Sequence, residues 1–333
     1  MGRGLKRIIK RSFEEFKSTI IICKKASIHD GLITLKGKII IQKLSKNGFK
    51  ETEKQKKGLL KKHEIMLRYF DELYKSYLNS NINIKINNNC DKGKNLSDKI
   101  WICWWQGIEN APRIVKTCIE SIRKYTSHEI IIIDEKNLEE YISFPDFIKK
   151  KFLENKISRT HLSDILRMSL LAKYGGLWLD STFFCTKNID NIFNNQIWSI
   201  KRPNYLHCSV ASGFFANYSL YSNKDSTWFY EKILNFLLFY WSKYDYVIDY
   251  LMLDYMIVTI KKYDEDYSNL LDSIMPNNRN CDELFKVLND KFESDIWNDL
   301  KEETYLFKLS WKFNFKSDNV DTFYDKLINN QLD

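Results

Sequence analysis

Ser158-Arg-Thr-His-Leu-Ser-Asp-Ile-Leu-Arg-Met-Ser-Leu-Leu-Ala-Lys-Tyr-Gly-Gly-Leu-Trp-Leu-Asp-Ser-Thr182 is the stretch on which the reading of this chain turns. It reads as a helix, a two-glycine turn and a short buried strand that ends in a carboxylate, Asp180. Asp164 and Arg167 are three residues apart and share a helix face. In isolation that pair reads as an intrahelical ion pair, and its position in the chain argues for more. Gly175 ends the helix, because a left-handed cap is cheap only for glycine, and Gly176 lets the chain turn back closely. A rigid helix–turn–strand unit thereby brings Asp164, Arg167 and Asp180 toward one cleft.

Strand and helix patterns alternate around this unit. Residues 99–105 form an apolar strand and 111–125 a helix with Pro112 in its first turn. Residues 130–133 form a buried strand that ends at Asp134, and helical segments follow at 136–142 and 145–155. Short strands at 177–179 and 182–185 flank Asp180, and the aromatic, helix-rich C-terminal third closes with a returning strand at 305–309. The pattern predicts an α/β fold with a mostly parallel central sheet and ligands beyond its C-terminal strand ends. Residues 234–260 look apolar enough to span a bilayer until Lys243, Asp245, Asp249 and Asp254 are counted. They read as two amphipathic helices, with both Asp249 and Asp254 candidates to face an acceptor. No uncharged apolar run reaches the roughly 18–20 residues a membrane span needs.

The first part of the chain differs in character. Residues 1–62 carry 18 Lys and Arg against 5 Asp and Glu, whereas the rest carries 34 against 38. The net charge of +9 therefore belongs to the N-terminus, which suits docking on an anionic surface. Leu5, Ile8, Ile9, Phe13, Phe16 and Ile20 recur at helical spacing between basic residues. Such a helix over residues 1–22 can lie in a membrane interface, where each Lys or Arg adds about 1 kcal/mol; an ordinary packed helix or a nucleic-acid arm are the other readings. A second helix spans 56–77, and the Asn-rich run 79–95 reads as a linker. The expected division is a basic helical appendage at 1–95 and a main domain at 96–333.

Composition bounds the class. Apolar residues make up 44%, including 21 Phe, 19 Tyr and 9 Trp, enough for a large core, and only 4 Pro and 11 Gly argue against disorder. Seven scattered cysteines without a CxxC pair suggest reduced thiols in a cytoplasmic compartment rather than a disulfide framework or zinc site. No secretory signal is expected. The slightly acidic body predicts no nucleic-acid partner.

Several ordered motifs together carry a resemblance. Ser163-Asp164-x-x-Arg167, then Gly175-Gly176-Leu-Trp-Leu-Asp180-Ser-Thr182, resemble the sugar-nucleotide-binding core of GT-A glycosyltransferases of the family 32 type, which includes bacterial capsular polysaccharide synthesis proteins. The unit is similar, more distantly, to the clostridial glucosylating toxins. Ile100-Trp-Ile-Cys-Trp-Trp-Gln-Gly107 and Phe307-Lys-Leu-Ser-Trp-Lys312 resemble the capsular branch, so the likeness runs over roughly 96–315.

The resemblance implies a GT-A-like nucleotide-sugar-binding fold and a retaining glycosyltransferase. Trp104 would stack on the nucleotide base, with Trp105 the alternative if the register differs by one; stacking of this kind is worth about 1–3 kcal/mol. Asp164 and Arg167 would hold sugar hydroxyls and ribose or phosphate through charge-assisted bonds, and Asp180 matches the first acid of an Asp-x-Asp motif. Thr182 replaces the second acid, usually the metal ligand, so a Mn²⁺ or Mg²⁺ cofactor would rest on Asp180 and the diphosphate alone. Lys308, Ser310, Trp311 and Lys312 correspond to a segment that closes over the diphosphate. His161 is read as a helix-face core residue. The expected donor is a UDP-sugar and the acceptor a glycan hydroxyl, lipid-linked, at the inner face of the membrane. The rival readings are a degenerate membrane- or nucleic-acid-binding protein on the same fold and a phosphosugar transferase.

Overall fold

Three helices precede the first strand: α1 (Arg3–Lys25), α2 (Ile28–Leu44) and α3 (Glu53–Leu78). The computed structural model describes residues 3–44, 51–80, 96–203, 205–312, 315 and 321–332, with the backbone alone for 3–13. Residues 81–95 of the Asn-rich run and the side chains of the N-terminal helix up to residue 13 thus lie outside the described residues. Thr52 starts α3 with a reciprocal capping box, its side chain accepting from the Gln55 amide while Gln55 accepts from the Thr52 amide.

The central elements follow in the order β1 (Ile100–Cys103), α4 (Arg113–Lys124), β2 (Ile130–Ile133), α5 (Leu138–Tyr141), α6 (Asp146–Leu153), α7 (Arg159–Tyr174) and β3 (Gly176–Leu179). Then come β4 (Phe183–Cys185), β5 (Ile197–Ser199), β6 (Ser219–Ser222), α8 (Thr227–Lys243), α9 (Met252–Tyr263) and α10 (Glu265–Asp272). The chain closes with α11 (Leu284–Val287), α12 (Ser294–Lys301), β7 (Leu306–Lys308) and α13 (Phe323–Ile328). Among the described residues no helix is long and apolar enough to cross a membrane.

Five strands form one sheet in the order β2-β1-β3-β6-β5, and β4 and β7 form a separate two-stranded pair. The expectation of a mostly parallel sheet is corrected. β1 is parallel to both β2 and β3, but β6 runs antiparallel to β3 and β5 antiparallel to β6. The sheet is mixed: among the described residues β5 and β6 are joined without an intervening helix, as an antiparallel pair allows. The C-terminal ends of β1, β2 and β3 still share one edge of the sheet, with Trp104, Asp134 and Asp180 immediately beyond them.

Alternation along the strands feeds two cores. Trp101 and Trp178 point into one that contains α7, α8, α9 and α3, while Ile100, Ile102, Leu177 and Leu179 point into the other with α4 and the C-terminal elements. α3 belongs to the first core through Phe70, stacked on Tyr255 at 5.4 Å, and Tyr74, edge-on to Phe236 at 4.9 Å. A buried ion pair, Lys62 to Asp249 at 2.8 Å, fixes the same helix to the turn before α9.

The turn that sets up the site has no room for a side chain. Gly175 and Gly176 have φ of +73° and +88°. A Cβ on Gly175 would lie 2.6 Å from the Ser222 carbonyl, and one on Gly176 would lie 2.7 Å from both the Lys99 carbonyl and Trp101 Nε1. The Trp101 indole also donates to the Gly175 carbonyl at 2.8 Å, so α7 and β3 are locked to β1.

Candidate functional site

β3 carries Trp178 into the helical side of the sheet and then delivers Asp180 to its edge. The Asp180 amide donates to the Tyr218 carbonyl at 3.0 Å, which pins the acid to the start of β6. Its Oδ1 accepts from Trp178 Nε1 at 3.1 Å. The side chain keeps about a third of its surface exposed, at 33%.

α7 starts at Ser158, whose hydroxyl accepts from the His161 amide. One turn later Asp164 and Arg167 are both buried. Arg167 Nη2 donates to Asp164 Oδ1 at 2.9 Å, and His161 Nδ1 lies 3.3 Å from Asp164 Oδ2. The other terminal nitrogen of Arg167 donates to the Asn217 carbonyl, and the guanidinium sits 5.2 Å above the Trp178 ring. Trp178 therefore joins the two halves of the motif, holding Arg167 on its face and Asp180 at its N–H. That residue stood inside the quoted motif but drew no role from sequence, since an indole in a buried strand reads as core.

The two-stranded pair brings the C-terminal segment to the same place. Phe183 is in register with Lys308, and Leu309 donates its amide to the Thr182 carbonyl at 2.9 Å. Lys308 Nζ then donates to Thr182 Oγ1 at 2.7 Å and lies 3.6 Å from Asp180 Oδ2. Beyond it, Ser310 Oγ accepts from the Lys312 amide at 3.2 Å, and the Lys312 ammonium lies 5.0 Å over the Trp311 ring.

The two tryptophans after β1 have different surroundings. Trp105 is buried in the first core and donates to Ser163 Oγ at 2.8 Å. Trp104 is half-buried and meets the exposed Trp311 edge-on, with centroids 5.7 Å apart. Among the described residues Trp104 Nε1 and Arg167 Nε are buried without a hydrogen-bond partner, an arrangement that costs about 1–3 kcal/mol per group unless a ligand completes it.

A third side of the site comes from α9 and its approach. Asn217 Nδ2 donates to Asp254 Oδ2 at 2.8 Å, so one asparagine receives Arg167 on its carbonyl and holds Asp254 with its amide. Burial pushes the Asp254 carboxyl up to about 7, with Asp164 adding to the rise and Arg167 opposing it. Tyr250, largely exposed, meets the His161 ring edge-on at 6.0 Å. Asp249 goes elsewhere: it is buried against Lys62, which holds its carboxyl below the usual range. Asn217 and Tyr250 had no sequence signal; Asp254 had one, its charge on an apolar helix.

The donor set suits a divalent cation poorly. Asp180 is one carboxylate, Thr182 contributes a neutral hydroxyl, and the Lys308 ammonium already touches both. Among the described residues no group of three or more His, Cys, Asp or Glu is arranged to hold a metal. What the site offers instead is a fixed cation beside an acid, an indole face and two unpaired N–H donors.

The model of the family described as capsular polysaccharide synthesis protein matches residues 45–327. A further similarity is to an O-glycosyltransferase, braB, of Annulohypoxylon truncatum, 28% identical over 118 residues. That match takes in 32% of this chain and 28% of the fungal protein, so the chain spans well under half of that relative's length.

Proposed function

Because the chain belongs to the capsular polysaccharide synthesis protein family, we propose that it transfers a sugar from a nucleotide-sugar donor, a UDP-sugar, to a hydroxyl of a glycan acceptor. The observation that carries this reading is the continuous line Asp164–Arg167–Trp178–Asp180–Lys308 at the C-terminal edge of the parallel strands. In this reading the base stacks on Trp104, which meets Trp311 edge-on. Asp164 and Arg167 bind the sugar and ribose hydroxyls or a phosphate, and Asp180 orients the sugar. The bond from the anomeric carbon to the diphosphate breaks as the bond to the acceptor oxygen forms, with configuration retained. The leaving diphosphate takes the acceptor proton. Lys308 stands where it can offset the charge that grows on that diphosphate, which is the largest task left to the protein in such a step. Lys312 adds a second cation on the same segment.

The acceptor in this reading is a lipid-linked glycan, and the protein works at the inner membrane face with residues 1–22 against anionic lipid. The experiment is a thermal-shift panel of nucleotide sugars on the purified chain, with and without Mn²⁺, repeated for Asp180→Ala. A ligand at about 100 times its Kd stabilises by roughly 2.7 kcal/mol. A shift in the wild type that Asp180→Ala loses is expected. If no nucleotide or nucleotide sugar moves the folded protein, the transferase reading fails; equal shifts for both proteins remove Asp180 from the donor site.

A further inference from the structure

α1 buries Ile22 in the first core but turns other apolar side chains outward. In α1 the small polar residues face the protein, with Ser18 and Thr19 only 2% and 6% exposed, while Phe16 is 61% exposed and Ile20 stands out beside it. Lys38 of α2, itself buried, ties α1 in this orientation. It pairs with Glu15 at 2.9 Å, donates to Ser18 Oγ at 2.6 Å, and donates to the Ile248 carbonyl at 3.1 Å. Rotating α1 to bury Phe16 and Ile20 would strip Lys38 of Glu15 and Ser18, which a buried ammonium does not tolerate. Close helix contacts hold the arrangement as well. A Cβ on Gly31 would fall 2.1 Å from Cys23 Sγ of α1, and one on Gly37 would fall 2.7 Å from Lys62 Cβ of α3.

Besides His29, the exposed residues of α2 are Ile28, Leu32, Lys36, Ile39 and Lys43, spaced three or four apart along the helix. Ile28 is 72% exposed, and Leu32 and Ile39 are both in the open. Lys24 lies at the adjoining end of α1. Asp30 of α2 faces Arg68 at 3.6 Å. Both helices lie before residue 45, where the family match begins, so this face is additional to the segment shared with the family.

We infer that the outward faces of α1 and α2 form one docking surface for an anionic lipid bilayer, with Ile28, Leu32 and Ile39 entering the interface and Lys24, Lys36 and Lys43 meeting headgroup phosphates. Apolar side chains interleaved with lysines on side-by-side helices suit a plane of acyl chains beneath a layer of phosphate. An RNA backbone would satisfy the lysines but offer nothing to three aliphatic side chains. The inference deepens the membrane contact proposed above for residues 1–22 by assigning it to α2 as well, and it does not depend on glycosyl transfer.

The test is sedimentation of the full chain with vesicles of phosphatidylcholine, with and without phosphatidylglycerol. Two variants are compared with the wild type: Ile28→Gln/Leu32→Gln/Ile39→Gln, and Lys24→Gln/Lys36→Gln/Lys43→Gln. Binding to the anionic vesicles is expected to fall by about tenfold or more in each, and the wild type is expected to prefer anionic over neutral vesicles. All six positions are on the surface, so thermal midpoints are expected to match the wild type; Leu32→Gln alone serves if the apolar triple variant unfolds earlier. Unchanged binding by the apolar variant overturns the inference. So does a wild type that ignores anionic vesicles but binds homopolymeric RNA through the three lysines. Nucleotide-sugar thermal shifts on the same variants are expected to persist, which separates failure here from failure of the transferase reading.

Discussion

Replacing Asp254 by Asn removes a charge from beside Asp164 while leaving an oxygen to accept the Asn217 amide, 2.8 Å away in the wild type. The wild-type carboxyl titrates at about 7 in the folded protein against an ordinary value of 3.8. As pH rises from 5 to 8, the folded protein therefore gives up a proton that the unfolded chain has already lost. Stability from this group falls over that window and levels off above the folded pKa. Two units of that window, at 1.36 kcal/mol each, amount to about 3 kcal/mol. Asp254 is partly exposed, and solvent screening brings the expectation down to about 1–2 kcal/mol. At roughly 2.1 cal/mol/K per residue, the 333-residue chain moves about 1.4 °C for each kcal/mol, so the variant's advantage is expected to grow by about 2 °C from pH 5 to pH 8. Thermal scans of both ligand-free proteins at intervals across that range provide the measurement. A difference between variant and wild type that stays constant with pH would refute the argument, because a purely steric effect has no reason to follow a proton.

Other substitutions probe the remaining joints. Gly176→Ala forces a Cβ to within 2.7 Å of the Lys99 carbonyl at a φ of +88°, and a loss of about 3 kcal/mol or more in urea unfolding is expected; a loss under 1 kcal/mol would mean the turn is not tight. Trp104→Ala is expected to weaken nucleotide affinity by about 1–3 kcal/mol with little change in stability, whereas Trp105→Ala, which empties part of the first core, is expected to lower stability by about 3–5 kcal/mol. The reverse ranking by calorimetry would exchange their roles. Lys62→Met leaves Asp249 buried without its partner and is expected to cost about 3–5 kcal/mol, much of it recovered in Lys62→Met/Asp249→Asn. Failure of the second change to recover any stability would show that the lysine acts through packing alone.

Local physics made the core of the site readable in advance. A helix ending at Gly175 and the short apolar strand after it were enough to direct Asp164, Arg167 and Asp180 toward one edge of the sheet, while their roles toward a ligand came only from the resemblance. Lys308 was found because it sits on a motif, although its contact with Thr182 depends on a strand pairing 126 residues away in sequence. Trp104 and Trp105 could not be separated by pattern, since both follow the last paired residue of β1, where alternation no longer constrains which one turns inward. The hydrogen bond from Trp105 to Ser163 made that choice.

Asp249 and Asp254 show the same division of labour. Both are acids in one apolar stretch, and five residues of separation near a helix start put them on different sides. Which side meets Lys62 and which meets Asn217 depends on where α3 and the start of β6 pack. The sheet direction was hidden for a related reason, because strand pattern records burial and is blind to whether a neighbour runs parallel or antiparallel. The sequence by itself determined the helix–glycine–strand unit, the three charges it carries and the basic bias of the N-terminus, all of which depend on neighbouring residues. Only the tertiary structure decided the mixed sheet, the meeting of Arg167 with Trp178, and the outward turn of Phe16 and Ile20, because each is set by a partner distant in the chain whose buried charge or ring has to be satisfied.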